Sequence, residues 1–128
     1  MNWTAVGAFL MALAVALGAF GAHGLRGRLD AYSMSVYEKA VFYHFVHALG
    51  ILLVSLLART GGISIAAQAR VGWLLLIGIF LFSGSLYALA ISGVRMLGAI
   101  TPIGGIAFIV GWLWLAYEAL RAVRAVRA

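Results

Sequence analysis

Four runs of about 20 mostly apolar residues succeed one another along this chain, each long enough to cross the hydrocarbon core of a bilayer as a helix. They extend approximately from Trp3 to Ala22, Ala40 to Ala58, Val71 to Ser92 and Ile103 to Leu120. Three short connections separate them, and the first, Gly24 to Lys39, is the longest and most polar. The expected fold is all-α: an integral membrane four-helix bundle, one domain over residues 1–128, with both termini on the same side.

Composition agrees with lipid as the solvent. Hydrophobic residues make up 66% of the chain and charged residues 9%, against the roughly 25% charge of an average soluble domain. The net charge of +6 comes from only nine Lys and Arg residues, which lie between and after the apolar runs. That is the distribution of helix-flanking anchors rather than of a nucleic-acid surface. The absence of cysteine excludes disulfides, thiol chemistry and cysteine-ligated metal. The first run has no positive region before it and is longer than an ordinary signal-peptide core, so it reads as a transmembrane helix.

Local signals mark the helix ends. Ser35 followed by Glu38 has the spacing of a capping box, with Glu38 favourable near the positive end of the second helix. Thr101-Pro102 places a capping hydroxyl before a proline and starts the fourth helix. Gly61-Gly62 ends the second helix after Arg59, and Gly93 ends the third. Small residues recur at four-residue spacing as Ala14, Gly18 and Ala22, as Gly84, Ala88 and Ser92, and as Ala107 and Gly111, a pattern that lets helix backbones approach closely. Arg59, Arg70, Arg121, Arg124 and Arg127 fall on the side of the termini, and Arg26, Arg28, Lys39 and Arg95 on the other. The small excess points to cytoplasmic termini.

Topology then collects the polar residues. His23 closes the first helix on the side away from the termini, and the second helix starts there, which puts His44 and His47 in its nearer half. The third helix arrives at that side with Ser83, Ser85 and Tyr87, and the fourth departs from it with Thr101. At 100° per residue, Tyr43 and His47 are 40° apart and share the bundle-facing side, while His44 falls at a helix–helix boundary. The layer His23, Tyr43, His47, Ser83, Ser85, Tyr87 and Thr101, with His44 beside it, has two readings: hydrogen bonds that tie the helices together, or a site for a ligand, proton or cofactor. Glu118, the one carboxylate within a run, lies near the opposite face and reads as an interfacial ion pair with Arg121, with Arg59 or Arg70 nearby. Trp3, Trp73 and Tyr87 suit aromatic belts, Trp112 and Trp114 lie deeper, and the arginines at 121, 124 and 127 anchor a helix extension to headgroups.

Gly18-Ala19-Phe20-Gly21-Ala22-His23-Gly24-Leu25, the Tyr43 to His47-Ala48-Leu49 stretch, Phe82-Ser83-Gly84-Ser85-Leu86-Tyr87, and Thr101-Pro102-Ile103-Gly104-Gly105 followed by Gly111-Trp112 form an ordered set. In that order and spacing the chain resembles the domain of unknown function 423 family, the transmembrane protein 256-like small membrane proteins. The resemblance implies a four-helix integral membrane protein of a type widespread in bacteria, with a eukaryotic branch and no established activity. It maps motif positions onto His23, His47, Ser83, Ser85, Tyr87, Thr101 and Pro102, and less clearly onto His44.

Small size, no room for a soluble domain and no catalytic constellation lead to the expectation of a non-enzymatic accessory, assembly or small binding bundle, without cofactor. Its expected partners are membrane lipid and either a larger membrane complex or further copies of itself, with no nucleic acid. Two alternatives stand beside this: a transporter or channel working as an oligomer, and a haem- or quinone-binding electron-transfer protein in which His23 and His47 face each other. Enzymatic chemistry at Ser83 or Ser85 lacks a third, orienting acid in the layer.

Overall fold

The computed structural model describes residues 1–127, with side chains through Arg124. Four helices cross the molecule: α1 (Trp3–Leu25), α2 (Ala31–Arg59), α3 (Ile65–Ser92) and α4 (Thr101–Arg127), with a 3-10 turn over Arg95–Ala99 before α4. Each contains one of the four expected runs and extends past it. No strand occurs among the described residues. The arginine at 127 lies outside the described side chains, so the expected headgroup anchor is described only as far as Arg124.

Side-chain caps fix three of the helix starts. The Asn2 carbonyl oxygen accepts from the Ala5 N–H at 3.1 Å, the Asp30 carboxylate from the Ser33 N–H at 2.7 Å, and the Ser64 hydroxyl oxygen from the Ala67 N–H at 3.1 Å. The second start corrects the capping-box reading of Ser35 and Glu38. Asp30 caps a helix that begins at Ala31, which leaves Ser35 and Glu38 inside it and shortens the first connection. The fourth start also differs in detail. The Thr101 hydroxyl bonds Ser85 on α3 at 2.8 Å instead of capping its own helix. Gly61 and Gly93 end α2 and α3 with φ of +79° and +72°, a left-handed conformation that favours glycine.

The core is organised by α2. Its buried residues include Tyr37, Ala40, His44, His47, Ile51, Val54 and Ala58, an unbroken alternation of three- and four-residue steps. That spacing is a knobs-into-holes seam facing the rest of the bundle. α2 and α3 bury about twice the share of their apolar stretch that α1 and α4 do, so they form the central pair, with α1 packed mainly on α2 and α4 on α3. Trp3, Leu10, Ile51, Val71, Leu75 and Phe108 belong to the main core, and Leu25, Val36, Tyr37, Leu89 and Ala90 to a second cluster at the end away from the termini.

The small-residue stripes contribute unevenly to packing. Ala14 and Gly111 are buried between helices, whereas Ala22, Ala88 and Ser92 are exposed. The closest approach lies elsewhere, where a Cβ on Gly104 of α4 would overlap the backbone of Phe82 on α3. Trp3 also departs from expectation: it is 4% exposed and packs edge-to-face on Trp73 at 5.6 Å, as a core residue rather than a belt residue. Each of α1 and α3 contains one π turn, over Gly21–Leu25 and Ile79–Ser83. The outer surface is apolar, with Phe9, Phe20, Phe42, Phe80, Ile103 and Leu113 all exposed, as a lipid-facing bundle requires.

Candidate functional site

Consecutive positions of the α2 seam hold both histidines, and three residues of helix separate their directions by about 60°. His44 is 2% exposed and turns toward α1 and α3. Its Nδ1 lies 3.3 Å from the Tyr87 hydroxyl. Its Nε2 is buried without a hydrogen-bond partner. The Tyr87 ring lies 5.1 Å from that of Tyr37, whose hydroxyl donates to the Leu17 carbonyl at 2.7 Å. This chain of aromatic and polar contacts ties α1, α2 and α3 together.

His47 turns the other way, toward α3 and α4. Its Nδ1 donates to the Tyr43 backbone carbonyl at 2.7 Å, which fixes the proton on that nitrogen of the neutral ring. Phe108 of α4 stacks on the imidazole with centroids 3.4 Å apart, and Trp112 lies at 6.0 Å. Tyr43 stacks on His47 at 5.8 Å and lies tilted against Phe82 at 4.4 Å, yet it is 37% exposed and sits at the rim. His47 is buried as the azimuth predicts, and His44 lies at the boundary with α1 and α3, buried as deeply. Tyr43, expected on the bundle-facing side, instead borders them, because the seam steps from Ala40 to His44 to His47.

The remaining polar residues are dispersed. Ser85 Oγ donates to the Phe82 carbonyl at 3.0 Å and meets the Thr101 hydroxyl at 2.8 Å, joining α3 to the start of α4. Ser83 is fully buried, and its hydroxyl has no partner. His23 is exposed. Gly21 faces the Tyr37 ring, so the π turn carries His23, two residues on, away from the bundle, and the expected pairing of His23 with His47 across facing helices is not formed. The eight residues are therefore placed as His44 with Tyr87, His47 with Tyr43, Ser85 with Thr101, Ser83 by itself, and His23 outside.

Sequence reasoning did not single out Tyr37, although seven-residue spacing from His44 puts the two on one helix face. It also passed over the Thr4–Ser55 hydroxyl contact, 2.7 Å long, between α1 and α2 in the opposite half of the bundle. At the end near the termini, Glu118 faces Arg70 at 3.7 Å and Arg121 at 3.9 Å and accepts from Trp114 Nε1 at 3.2 Å. Arg70 also lies over the Trp114 ring at 5.6 Å.

Open space lies in grooves between helices, one of which borders His44 and Tyr87. A groove of about 440 Å³ runs between α1 and α2 with Arg26 and Glu38 at its mouth, and one of about 260 Å³ runs past His44 and Tyr87 between α1 and α3. Among the described residues, no group of three or more His, Asp or Glu side chains is placed to hold a metal ion.

The family "Protein of unknown function (DUF423)" matches residues 17–105. A UPF0382 membrane protein of Staphylococcus epidermidis is 51% identical over 116 residues, covering 91% of this chain and 93% of its own length. One from Staphylococcus saprophyticus is 52% identical over 110 residues, covering 86% and 89%, and the UPF0382 membrane protein YwdK of Bacillus subtilis is 47% identical over 117 residues, covering 91% and 94%. No solved structure matches the chain.

Proposed function

The chain belongs to the DUF423 family of membrane proteins, and from that premise we propose that it is a non-enzymatic binding bundle of the bacterial plasma membrane, loaded sideways from the lipid. One observation carries the reading. The polar side chains inside the bundle are mostly engaged in direct pairwise contacts, whereas the grooves between α1 and α2 and between α1 and α3 are lined mainly by apolar side chains. A hydrolase or transferase needs a reacting atom placed between a nucleophile and its activating groups. Ser85 and Thr101 instead bond each other, and His47 is covered by Phe108.

Such a bundle acts by what it holds, either a lipid-phase molecule or a larger membrane protein that it accompanies. Isolation from native membranes into a polymer-bounded bilayer, followed by native mass spectrometry, checks this. The expected result is the chain with a defined bound molecule or partner. A bare monomer or a homo-oligomer with nothing else attached would overturn the proposal.

A further inference from the structure

We propose that the groove between α1 and α2 seats one acyl chain of a diacyl phospholipid of the phosphatidylethanolamine class, and that Arg26 and Glu38 read its phosphate–ammonium headgroup. The inference rests on the reading of the chain as a binding bundle served from the lipid and names the ligand of one groove.

The groove's floor is made by Gly18, Gly21 and Ala22, of which Gly21 packs against the Tyr37 ring while the other two leave space. A Cβ on Gly18 would meet only Val41, at 3.4 Å, and Ala22 is exposed. Elsewhere on α1 the spacing is tighter, since a Cβ on Gly7 would fall 2.8 Å from Leu52. Along Gly18 and Ala22 small size therefore leaves depth, walled on the α2 side by Val41, Phe45 and their neighbours. From Glu38 to Val46 the groove follows about 12 Å of helix, enough for the upper part of one acyl chain.

The mouth selects the headgroup. Arg26 and Glu38 both line it, both are exposed, and neither has an ion-pair partner among the described residues. A guanidinium offers several N–H donors to phosphate oxygens, and a carboxylate accepts from a primary ammonium. Phosphatidylethanolamine supplies both partners. Phosphatidylglycerol has no cation for Glu38, and the choline headgroup has no N–H to donate. A second copy of the chain fits less well, because two concave grooves brought face to face leave a void that an acyl chain fills.

The test is native mass spectrometry of the full chain released from bilayers holding equal amounts of phosphatidylethanolamine, phosphatidylglycerol and phosphatidylcholine. The expected result is one retained phospholipid per chain, with phosphatidylethanolamine favoured about threefold, as suits ion pairs at an interface. Ala22→Phe, at an exposed position, should abolish retention by filling the floor. Arg26→Ala should weaken retention of all three lipids. Glu38→Gln should keep a lipid bound but erase the preference for phosphatidylethanolamine over phosphatidylglycerol. Equal retention of the three lipids, retention unchanged in Ala22→Phe, or a lipid-free dimer would overturn the inference. Retention of a different lipid-phase molecule or of a protein partner would overturn it while leaving the binding-bundle reading intact; a chain that holds nothing would overturn both.

Discussion

At the scale of single residues, the bundle interior combines satisfied and unsatisfied polar groups. Ser83 is fully buried with its hydroxyl unpartnered, in a protein where the neighbouring Ser85 has two partners. An unmade hydrogen bond in an apolar interior costs about 1–3 kcal/mol, so Ser83→Ala should stabilise the fold by about 1 kcal/mol in a reversible unfolding measurement in mixed micelles. A loss of stability instead would show that the hydroxyl is engaged. Asp30 gives a prediction in pH. The Ser33 N–H, and secondarily the Ser33 hydroxyl, hold its carboxyl below the usual carboxylate range. A depressed folded-state value means that the contribution is present above the ordinary value and is lost as pH falls through the folded one. Helicity of the first turn of α2 should therefore decline in acid below the ordinary carboxylate range, and Asp30→Asn, still a good cap, should remove that pH dependence in circular dichroism titrations.

At the scale of elements, the number of helices long and apolar enough to cross a membrane was legible in the sequence, because hydropathy alone marks them. The start of α2 was misread because two capping signals lie five residues apart, and the carboxylate of Asp30 took the first turn from Ser35. The azimuth of Tyr43 was misread for a related reason. Tyr43 and His47 alone define a face, but the run from Tyr37 to Ala58 defines the seam, and only a longer count shows that His44 belongs to it. The closest approach of α3 to α4 was not legible in the sequence, since it sets Gly104 against the Phe82 backbone, within the segment that forms the π turn. Gly104→Ala should push backbone against backbone, with no flexible side chain to yield, and destabilise the bundle by about 1–3 kcal/mol. Gly105→Ala is the control, as its added Cβ would meet only the Phe82 ring at 3.7 Å. Equal stability losses in the two variants would remove the argument.

At the scale of the whole molecule, the candidate site was only partly legible. Topology brought the right helices together, but whether eight polar residues converge or disperse depends on side-chain directions that periodicity resolves only coarsely. His23 shows this best, since one π turn was enough to send it outward. The two ends of the bundle also differ in kind. At the end with the termini, Glu118 gathers Arg70, Arg121 and Trp114, while at the other end Arg26 and Glu38 stand apart. The expectation of cytoplasmic termini rests on a slight excess of positive charge at that end, and topology reporters test it. Reporter fusions at residue 128 should then be active as cytoplasmic and silent as exported reporters, and the reverse pattern would invert the orientation.

The π turns have one more consequence, for how this chain tolerates changes in length. A π turn holds one residue more than an α-helical ladder needs, and the surplus is absorbed locally. Removing a single residue between Ile79 and Ser83 should therefore leave a continuous α-helix on either side of which the side chains keep their present faces. The same deletion near Leu75 would rotate everything between it and the π turn by about 100° and turn core positions toward lipid. A single-residue deletion scan of α3, read as folded protein in the membrane, should show a window of tolerance at 79–83 flanked by intolerance toward the amino-terminal side.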